Sequence, residues 1–450
     1  MRRHLTSPLS IAPLVSFRIA FGALMLFSTL RFMYMGWVEN HFVDPMMHFT
    51  YFGFNWVKPL PAVGMYVVHV LMILGSLGIM LGFRYRVAAL VYFLCFTYCE
   101  LIDLTYYLNH YYFVSIVSLI MVFLPANRGL SLDVWLNPSL ERKQVPAWVI
   151  RLLQLQLAIV YVYAGLAKIN HAWLMEAMPL RIWLPAHDHL PLIGWAMRYK
   201  ATAFLFSWFG MLYDTFIVFF LLWKPTRALA YVAVIVFHVM TGILFQIGVF
   251  PLVMIALTPI FFSPQWHEKV QGKVRAWLRL SQNTSIEIWQ PYQPRVWGMI
   301  LGTYLVFQLL FPWRYLLYDG NLFWNEEGYR FSWRVMLMEK AGTALFYVKD
   351  TKTGREGVVD NSEFLNPHQE KQMAMQPDMI LQYAHFLAEH YAEKGVYEPE
   401  VRAEVYVTLN GRPSRLYIDP KVNLVEIQDG WKQKDWVLPY KDPKNKLTQK

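Results

Sequence analysis

The stretch AWVIRLLQLQLAIVYVYAGLAK, residues 147–168, is almost uncharged and long enough to cross a bilayer as a helix. Similar apolar stretches recur along the chain, which is 56% hydrophobic and carries only 16% charged residues. Soluble domains usually carry about 25% charged residues, so this composition argues against that class. We predict nine membrane spans, at about residues 12–34, 62–82, 87–104, 111–126, 147–168, 203–223, 227–247, 249–263 and 296–314.

The basic residues of the loops fall on one side of the predicted spans. They are Arg2, Arg3, Arg84, Arg86, Arg128, Arg142, Lys143, Lys224, Arg227, Lys269, Lys273, Arg275 and Arg279. Short loops rich in lysine and arginine stay in the cytoplasm, so we expect the N-terminus there and the chain beyond about residue 315 outside. The net charge of +10 is then explained by membrane topology and does not indicate a nucleic-acid partner. We expect a multi-pass protein of a cell (inner) membrane, with its first apolar stretch retained as a span.

The composition changes after Arg314, where polar residues replace the apolar runs. Residues 343–350 and 356–360 are predicted strands, and residues 376–394 have the spacing of an amphipathic helix. Asn410-Gly411, between strand-like runs at 404–409 and 414–418, indicates a type I′ hairpin turn. We therefore predict a mostly α protein with a transmembrane helical bundle at 1–315 and a small extracytoplasmic α+β domain at 316–450. A basic amphipathic stretch at 265–295 is expected to lie in the membrane interface.

Lys168 ends the quoted stretch, on the outer side of the membrane in this topology. An ammonium group there is costly unless it pairs with an anion or gives up its proton, so Lys168 is a candidate base. Asn109 and His110 emerge on the same face, and the three residues together indicate a site. A capped, structural role remains the alternative for His110. A Lys168 ion pair far from any cavity, or a His110 that faces lipid, would contradict the prediction.

Other polar and aromatic residues of the apolar stretches have simpler interpretations. Arg18, Arg151 and Asp214 are predicted to form interior ion pairs that hold helices together. The aromatic residues near the predicted site suit either a flat apolar ligand or an interfacial belt. They are Tyr106, Tyr107, Tyr111, Tyr112, Tyr161, Tyr163, Trp173 and Trp183.

Metal and nucleotide sites are not indicated. Cys95 and Cys99 both fall inside one predicted span, so neither a disulfide framework nor a metal-ligand spacing can be built from them. The stretch 187–189 (His-Asp-His) has no third ligand at a known spacing, and a surface loop is the better interpretation. No glycine-rich phosphate loop follows a predicted strand. A ligand the size of a quinone is therefore favoured over a nucleotide.

Short runs along nearly the whole chain resemble one family. In the bundle they are Phe17–Gly22, Met80–Arg86, Leu108–Tyr112, Ile159–Lys168 followed by Trp173, Phe237-His238, Phe245–Gly248 and Phe262–Trp266. In the C-terminal part they are Tyr329–Trp333, Phe364–Pro367, Leu381–Ala384, Tyr417–Pro420 and Trp436–Pro439. In this order they are similar to the vitamin K-dependent γ-glutamyl carboxylases and their bacterial relatives that carry an HTTM domain.

This resemblance implies a role for each matching residue. Lys168 is expected to be the general base and His110 the active-site histidine, with Asn109 beside it. Five residues are expected to bind the quinone or the glutamyl substrate: Tyr161, Arg181, His238, Tyr329 and Trp333. Two positions depart from the animal enzymes, because Met338 replaces a histidine and Phe386 a disulfide-bonded cysteine. We also expect the chain to be without the further β-rich domain of those enzymes, so the protein substrate is open.

The resemblance also implies the chemistry. Oxygenation of a reduced vitamin K or menaquinol-type naphthoquinol to its epoxide would generate a base strong enough to remove the glutamate γ-proton, and CO2 would then be captured. The expected co-substrates are the quinol, O2 and CO2 without a metal, and the expected partners are a glutamyl peptide or protein, the lipid quinol and membrane lipids. Two alternatives remain: a quinol epoxidase that carboxylates nothing, and a non-catalytic membrane binding or scaffold protein.

Overall fold

The computed structural model describes residues 5–245, 247–277, 279, 287–290 and 294–440. The longer helices of the bundle are α1 (Ala12–Tyr34), α2 (Ala62–Leu81), α3 (Tyr85–Ile102), α4 (Asn109–Phe123), α5 (Ala147–Ala167), α6 (Lys200–Leu222), α7 (Arg227–Leu244), α8 (Phe250–Leu257), α9 (Pro264–Trp277) and α10 (Pro294–Leu310). Short helical turns connect them at Glu39–Val43, Leu104–Tyr106, Leu132–Leu136, Pro138–Leu140, His171–Leu174, Leu180–Trp183, Leu184–His187, Gly194–Met197 and Thr258–Phe261. The strands Pro8–Ser10 and Gln144–Pro146 pair antiparallel at one end of the bundle.

The predicted polytopic helical fold is confirmed. Within the described ranges, 7 helices are long and apolar enough to cross a membrane, and they coincide with seven of the nine predicted spans. The other two predictions fall on shorter apolar helices, Asn109–Phe123 and Phe250–Phe261. A helix rises about 1.5 Å per residue, so these two cover only part of a hydrocarbon core of about 30 Å. The interfacial helix predicted at 265–295 is described as far as Trp277, where α9 ends, and much of its remainder lies outside the described residues.

Close helix contacts in the bundle are made by small residues and by one buried arginine. A side chain at Gly22 of α1 would collide with the backbone of Met80 in α2, so glycine is what allows these two helices to touch. Arg18, fully buried in α1, donates hydrogen bonds to the carbonyls of Ile79 at 3.0 Å and Leu130 at 2.6 Å. The prediction that Arg18 and Arg151 form interior ion pairs is therefore wrong, since Arg18 binds carbonyl groups and Arg151 is exposed.

The C-terminal part is an α+β domain built on one antiparallel sheet. Its strands are β1 (Lys340–Lys349), β2 (Glu356–Val358), β3 (Glu400–Leu409) and β4 (Arg415–Leu416), in the order β2-β1-β3-β4. Alternate residues of β3 are buried against α12 (Pro377–Glu393), which follows the short α11 (Pro367–Met373). The predicted hairpin turn is present, with φ of 52° at Asn410 and 67° at Gly411. Further short turns lie at Phe311–Leu317, Leu322–Asn325, Asn361–Glu363 and Leu424–Glu426.

Polar contacts join this domain to one end of the bundle. Gln369 of α11 donates a hydrogen bond to the carboxylate of Asp103, which follows α3, at 2.8 Å. His368 bonds the carbonyl of Thr105 at 3.0 Å and stacks on the ring of Tyr106. Burial raises the pKa of Asp103 to about 6 despite these hydrogen bonds. The domain is thus fixed over the helix ends where Asn109 and Lys168 emerge.

Candidate active site

An apolar cavity lies among α5, α6, α7 and α8, at the end of the bundle that faces the C-terminal domain. Its empty volume is about 770 Å³, a figure that includes the open space at its mouth. The polar groups of its wall are Tyr161, Lys168, Asp214, His238 and Thr241, and aromatic rings supply much of the remainder. Val335 and Met336 of the C-terminal part close one side. The cavity is therefore shaped by both parts of the chain.

Lys168 and Asp214 form a buried ion pair in this wall. Lys168 Nζ lies 2.7 Å from Asp214 Oδ2 and also donates to the carbonyl of Ala164 at 3.2 Å. The two side chains are only 8% and 7% exposed. Asp214 is thus the interior ion-pair residue that the sequence predicted, but its partner is the proposed base. An ion pair far from any cavity would have contradicted the predicted role of Lys168, but this pair lines a cavity.

The backbone explains how Lys168 and Asp214 meet. Lys168 follows the last residue of α5, and Asp214 lies in the second half of α6. A side chain at Gly165 would collide with Thr215, so glycine lets the two helices touch one turn before the pair. The ring of Trp173 lies 5.4 Å from Lys168 Nζ and covers the ammonium on another side. The pair is therefore held between two rigid helices and an aromatic ring.

Tyr161 and His238 form a second polar group in the same cavity. Tyr161 precedes Lys168 by two helical turns and lies on the same face of α5. Its hydroxyl is 3.1 Å from His238 Nε2 and 3.4 Å from the Thr258 hydroxyl. The buried His238 Nδ1 has no hydrogen-bond partner in the described part of the chain. One imidazole nitrogen is thus available to a ligand.

His110 is placed behind the cavity wall. Its ring centroid lies 5.6 Å from that of Phe250, which lines the cavity and lies 5.7 Å from His238. The ring is buried in protein and does not face lipid, and its Nε2 has no partner among the described residues. His110 is therefore separated from the cavity by the Phe250 ring.

Asn109 holds the segment that closes the cavity. Its side-chain nitrogen donates to the carbonyl of Arg334 at 2.7 Å, and its oxygen accepts from the Tyr107 hydroxyl at 3.1 Å. The residues that follow Arg334 are the ones that line the cavity. Asn109 therefore positions the wall, and it is not itself part of the cavity lining.

The other expected binding residues lie at different distances from the cavity. Trp333 is fully buried and stacks on Tyr112 with ring centroids 4.9 Å apart, next to the closing segment. Arg181 donates to the carbonyl of Glu176 at 3.4 Å, and Tyr329 packs near Phe323. Neither Arg181 nor Tyr329 is part of the cavity lining.

Two features of the site were not predicted from the sequence: the pairing of Asp214 with Lys168, and the aromatic rings that form the cavity wall around this pair. An aspartate inside an apolar helix was the available signal, because such residues usually face the interior and pair or line a site. Phe237 and Phe250 carried no signal that separates a cavity wall from ordinary core. Phe237 stacks on Tyr213 with centroids 4.0 Å apart, which fixes one side of the cavity.

A larger, more polar cleft adjoins this cavity. It lies between the bundle and the C-terminal domain, has an empty volume of about 2260 Å³ including open space, and contains Arg31, His41, Glu100 and His368. Ile247 lines both spaces, and Phe250 of the small cavity follows three residues later. The cleft and the Lys168 cavity therefore share Ile247 as a wall residue.

The residues present fit a reduced naphthoquinone and offer no set of metal ligands. Apolar rings would contact a flat ring system, while the Lys168–Asp214 pair and the unpartnered His238 nitrogen would meet its hydroxyl groups. Among residues 5–440 that the structure describes, no group of three or more His, Cys, Asp or Glu could hold a metal ion. His187, Asp188 and His189 belong to a loop in which Asp188 pairs with Arg198.

Comparison with known families gives two matches in chain order. The model of the HTTM domain matches residues 6–266, which is more than half of the chain. The model of the vitamin K-dependent gamma-carboxylase lumenal domain matches residues 293–443. The first contains Lys168, Asp214 and His238, and the second contains the segment that closes the cavity. No solved structure matches the chain.

Proposed function

Since the chain belongs to the vitamin K-dependent gamma-carboxylase family, we propose that it oxygenates a reduced naphthoquinone and uses the energy released to carboxylate glutamate. Its domains indicate a carboxylase-like function, and its apolar helices make it a membrane protein. The observation that carries the finer proposal is the buried Lys168–Asp214 pair in the wall of an apolar cavity rich in aromatic rings. When bound, the quinol would supply the reaction with O2, and the residues of the chain would bind it, orient it and move its proton.

Lys168 and Asp214 would act together as the base. As an ion pair they carry one proton between Nζ and Oδ2 and are neutral overall. A second proton, taken from a phenolic hydroxyl, would leave Lys168 as an ammonium, Asp214 as a neutral carboxylic acid and the new phenolate anion beside them. Proton transfer to a positioned side chain typically contributes about 10²–10⁴-fold to a rate. The low polarity of the cavity strengthens the attraction between the ammonium and the new anion.

His238 and Tyr161, the second polar group of the same cavity, would orient the ligand. The Tyr161 hydroxyl donating to His238 Nε2 leaves the proton of the imidazole on Nδ1, which has no partner in the described chain. This N–H would donate to an oxygen of the bound ring. His110 would add a second donor from behind Phe250 and stabilise developing negative charge.

The C-terminal domain would bring glutamate to the cavity and exclude water. Val335 and Met336 form part of the wall, and Asn109 holds the backbone just before them. A carbanion at the glutamate γ-carbon takes a proton from water unless CO2 reaches it first, so exclusion of water is a requirement of the reaction. We assign the adjoining polar cleft to the glutamyl peptide or protein, and Trp333 and Tyr329 to the support of that side. Arg181 stays a proposed binding residue, although the described structure gives it no place in the cavity wall.

The proposed orientation places the C-terminal domain outside the cytoplasm. The match to a lumenal domain supports an extracytoplasmic location of this domain, and the basic loops between the spans support a cytoplasmic N-terminus. A bacterial inner membrane with menaquinol as the lipid quinol would fit this arrangement, because the quinol could enter from the bilayer. Fusing reporters of cytoplasmic and extracytoplasmic location to residue 440 would test it.

The first experiment measures both products in nanodiscs. The protein is supplied with reduced naphthoquinone, O2, labelled bicarbonate and a glutamyl peptide, and quinone epoxide and fixed label are followed. Lys168→Ala is compared with Lys200→Ala, which removes an exposed lysine at the start of α6. We expect epoxide and fixed label from the wild type and Lys200→Ala, and neither from Lys168→Ala.

Other outcomes separate the alternatives. Lysine-dependent epoxide without fixed label, across a panel of glutamyl peptides, would favour the epoxidase. Met338 gives that outcome a structural basis, since a methionine packed against the C-terminal core stands where animal enzymes have a histidine. Intact quinol with folded protein and neither product would contradict catalysis and favour a scaffold.

A further inference from the structure

A second cavity lies on the other side of the segment that closes the Lys168 cavity. It is formed by the end of α5, the turn after α10 and residues 321–334, and its empty volume is about 810 Å³ including its mouth. Its walls include Tyr163, Asn170, Trp313, Ser332 and Arg334. The proposed reaction uses none of these side chains.

The closing segment divides the two cavities residue by residue. The side chains of Ser332 and Arg334 line the second cavity, whereas Val335 and Met336 line the first. Arg334 thus faces away from Lys168, even though its carbonyl accepts the Asn109 hydrogen bond. A ligand of Arg334 would bind beside the reaction cavity and not within it.

Arg334 is a buried cation without an anion. Arg334 is only 9% exposed, and its Nε has no hydrogen-bond partner in the described structure. The guanidinium carbon lies 4.3 Å from the centre of the Tyr315 ring. Within the part of the chain that the structure describes, Arg334 forms no ion pair with a carboxylate; its titratable neighbours are the hydroxyl groups of Tyr315, to which it is hydrogen-bonded, and Tyr329. Burial lowers the pKa of its guanidinium. Burial of a charge is costly unless an opposite charge compensates it, so this cavity is built to receive an anion.

The rim of this cavity has the character of a membrane interface. Ile169, which lines the cavity, is 54% exposed. Leu316 and Leu317, which follow the lining residue Tyr315 in the turn after α10, are 66% and 83% exposed. Trp313 donates to the Tyr163 hydroxyl at 2.9 Å, which ties α5 to the turn after α10. Amphipathic aromatic side chains at helix ends are typical of the level of the lipid headgroups. A lipid headgroup at this level lies where its phosphate can reach Arg334.

We propose that Arg334 binds the phosphate of an anionic phospholipid, with the acyl chains lying along the exposed rim of α5 and the turn after α10. Arginine presents several N–H donors in a planar fork that suits phosphate oxygens. The side-chain amide of Asn170 and the hydroxyl of Ser332 add polar groups to the same wall. The lipid would neutralise the buried charge and brace the closing segment from its outer side. This inference does not depend on the proposed reaction.

The test measures lipid retention and thermal stability of the full chain. Delipidated protein in mild detergent is titrated with phosphatidylglycerol or with a diacylglycerol of the same acyl chains, which lacks the phosphate. Bound lipid is counted by native mass spectrometry, and the unfolding midpoint is followed in parallel. We expect phosphatidylglycerol to bind and raise the midpoint, and diacylglycerol to do neither.

Variants locate the site. Arg334→Gln should weaken phosphatidylglycerol binding about 10- to 100-fold, the loss expected for one charge-assisted interaction. Arg355→Gln, which removes an exposed arginine of the C-terminal domain, should leave it unchanged. Arg334→Lys retains the charge and should retain part of the binding, and it replaces Arg334→Gln if that variant does not fold. Equal binding by Arg334→Gln and the wild type would overturn the proposal. Unchanged lipid binding with a raised KM for glutamyl peptide would assign Arg334 to a substrate carboxylate instead.

Discussion

Replacing Asp214 by asparagine tests the central feature of the site, because it removes one charge and almost no volume. The Asp214 carboxylate lies 2.7 Å from Lys168 Nζ, and both side chains are more than nine-tenths buried. Replacing one partner of such a pair lowers the free energy of unfolding by about 3–5 kcal/mol, whereas replacing both charged residues together often changes it little. We therefore expect Asp214→Asn and Lys168→Met each to be destabilised by up to that amount. The double variant should recover most of the loss.

Activity should follow a different pattern from stability. If the two residues form one base, Asp214→Asn should reduce the rate of epoxide formation about 10²–10⁴-fold. The double variant should then be as inactive as Lys168→Met, because each single change already disables the base. The assay combines denaturant unfolding in a mild detergent with initial rates of epoxide formation for all four proteins. A stable, inactive double variant would separate catalysis from folding.

Two results would refute this reasoning. If the losses of stability in the single variants simply add in the double variant, the two side chains do not interact, since a buried pair must show coupling. If Asp214→Asn keeps the wild-type rate of epoxide formation, the aspartate takes no part in the base. Lys200→Met, at an exposed position of α6, serves as the matched control for loss of a lysine.

Three further predictions concern the support of the site. Asn109→Ala should lower the rate of epoxide formation and destabilise the protein by about 1–3 kcal/mol, because a buried carbonyl of the closing segment loses its donor; an unchanged rate would remove its positioning role. Gly165→Ala should force α5 and α6 apart, and because this displaces Lys168 from Asp214 it should reduce the initial rate about 10-fold or more. Gly298→Ala, which has open space around it, should leave the initial rate unchanged. In the C-terminal domain, burial raises the pKa of Asp378, but the charge of Arg330 at 2.5 Å outweighs it and keeps that pKa below its ordinary value. The contribution of the carboxylate to stability is therefore complete above about pH 4 and is lost progressively as the pH falls below that value through the lower pKa of the folded state. Asp378→Asn should flatten this acid limb of unfolding followed by circular dichroism.

The membrane spans and the hairpin could be predicted because their signals are local. Seven predicted spans coincide with long apolar helices, and the turn at Asn410-Gly411 has the two positive φ values that its residue types favour. The two remaining spans were predicted at the right positions and already as shorter stretches, 111–126 and 249–263. Asn109–Phe123 and Phe250–Phe261 are shorter, since the apolar sequence around them continues into turns.

The candidate site could be predicted only in part. Lys168, Tyr161 and His238 were recognised and do line one cavity, and their roles there stay predictions until activity is measured. His110 and Asn109 were expected in the site, and the structure places them immediately behind it. No local signal in the sequence indicates that one contacts a ring and the other a backbone carbonyl.

The sequence by itself determined the apolar helices, the α+β character of the C-terminal domain and the presence of a costly lysine at a helix end. These properties follow from hydropathy, periodicity and turn residues, which act over a few residues of chain. Only the tertiary structure decided that Asp214 pairs with Lys168 and that residues 332–336 separate two cavities. Such contacts depend on the rotation and depth of helices that pack through small residues such as Gly165. Those two quantities are fixed by the whole assembly, and no single segment encodes them.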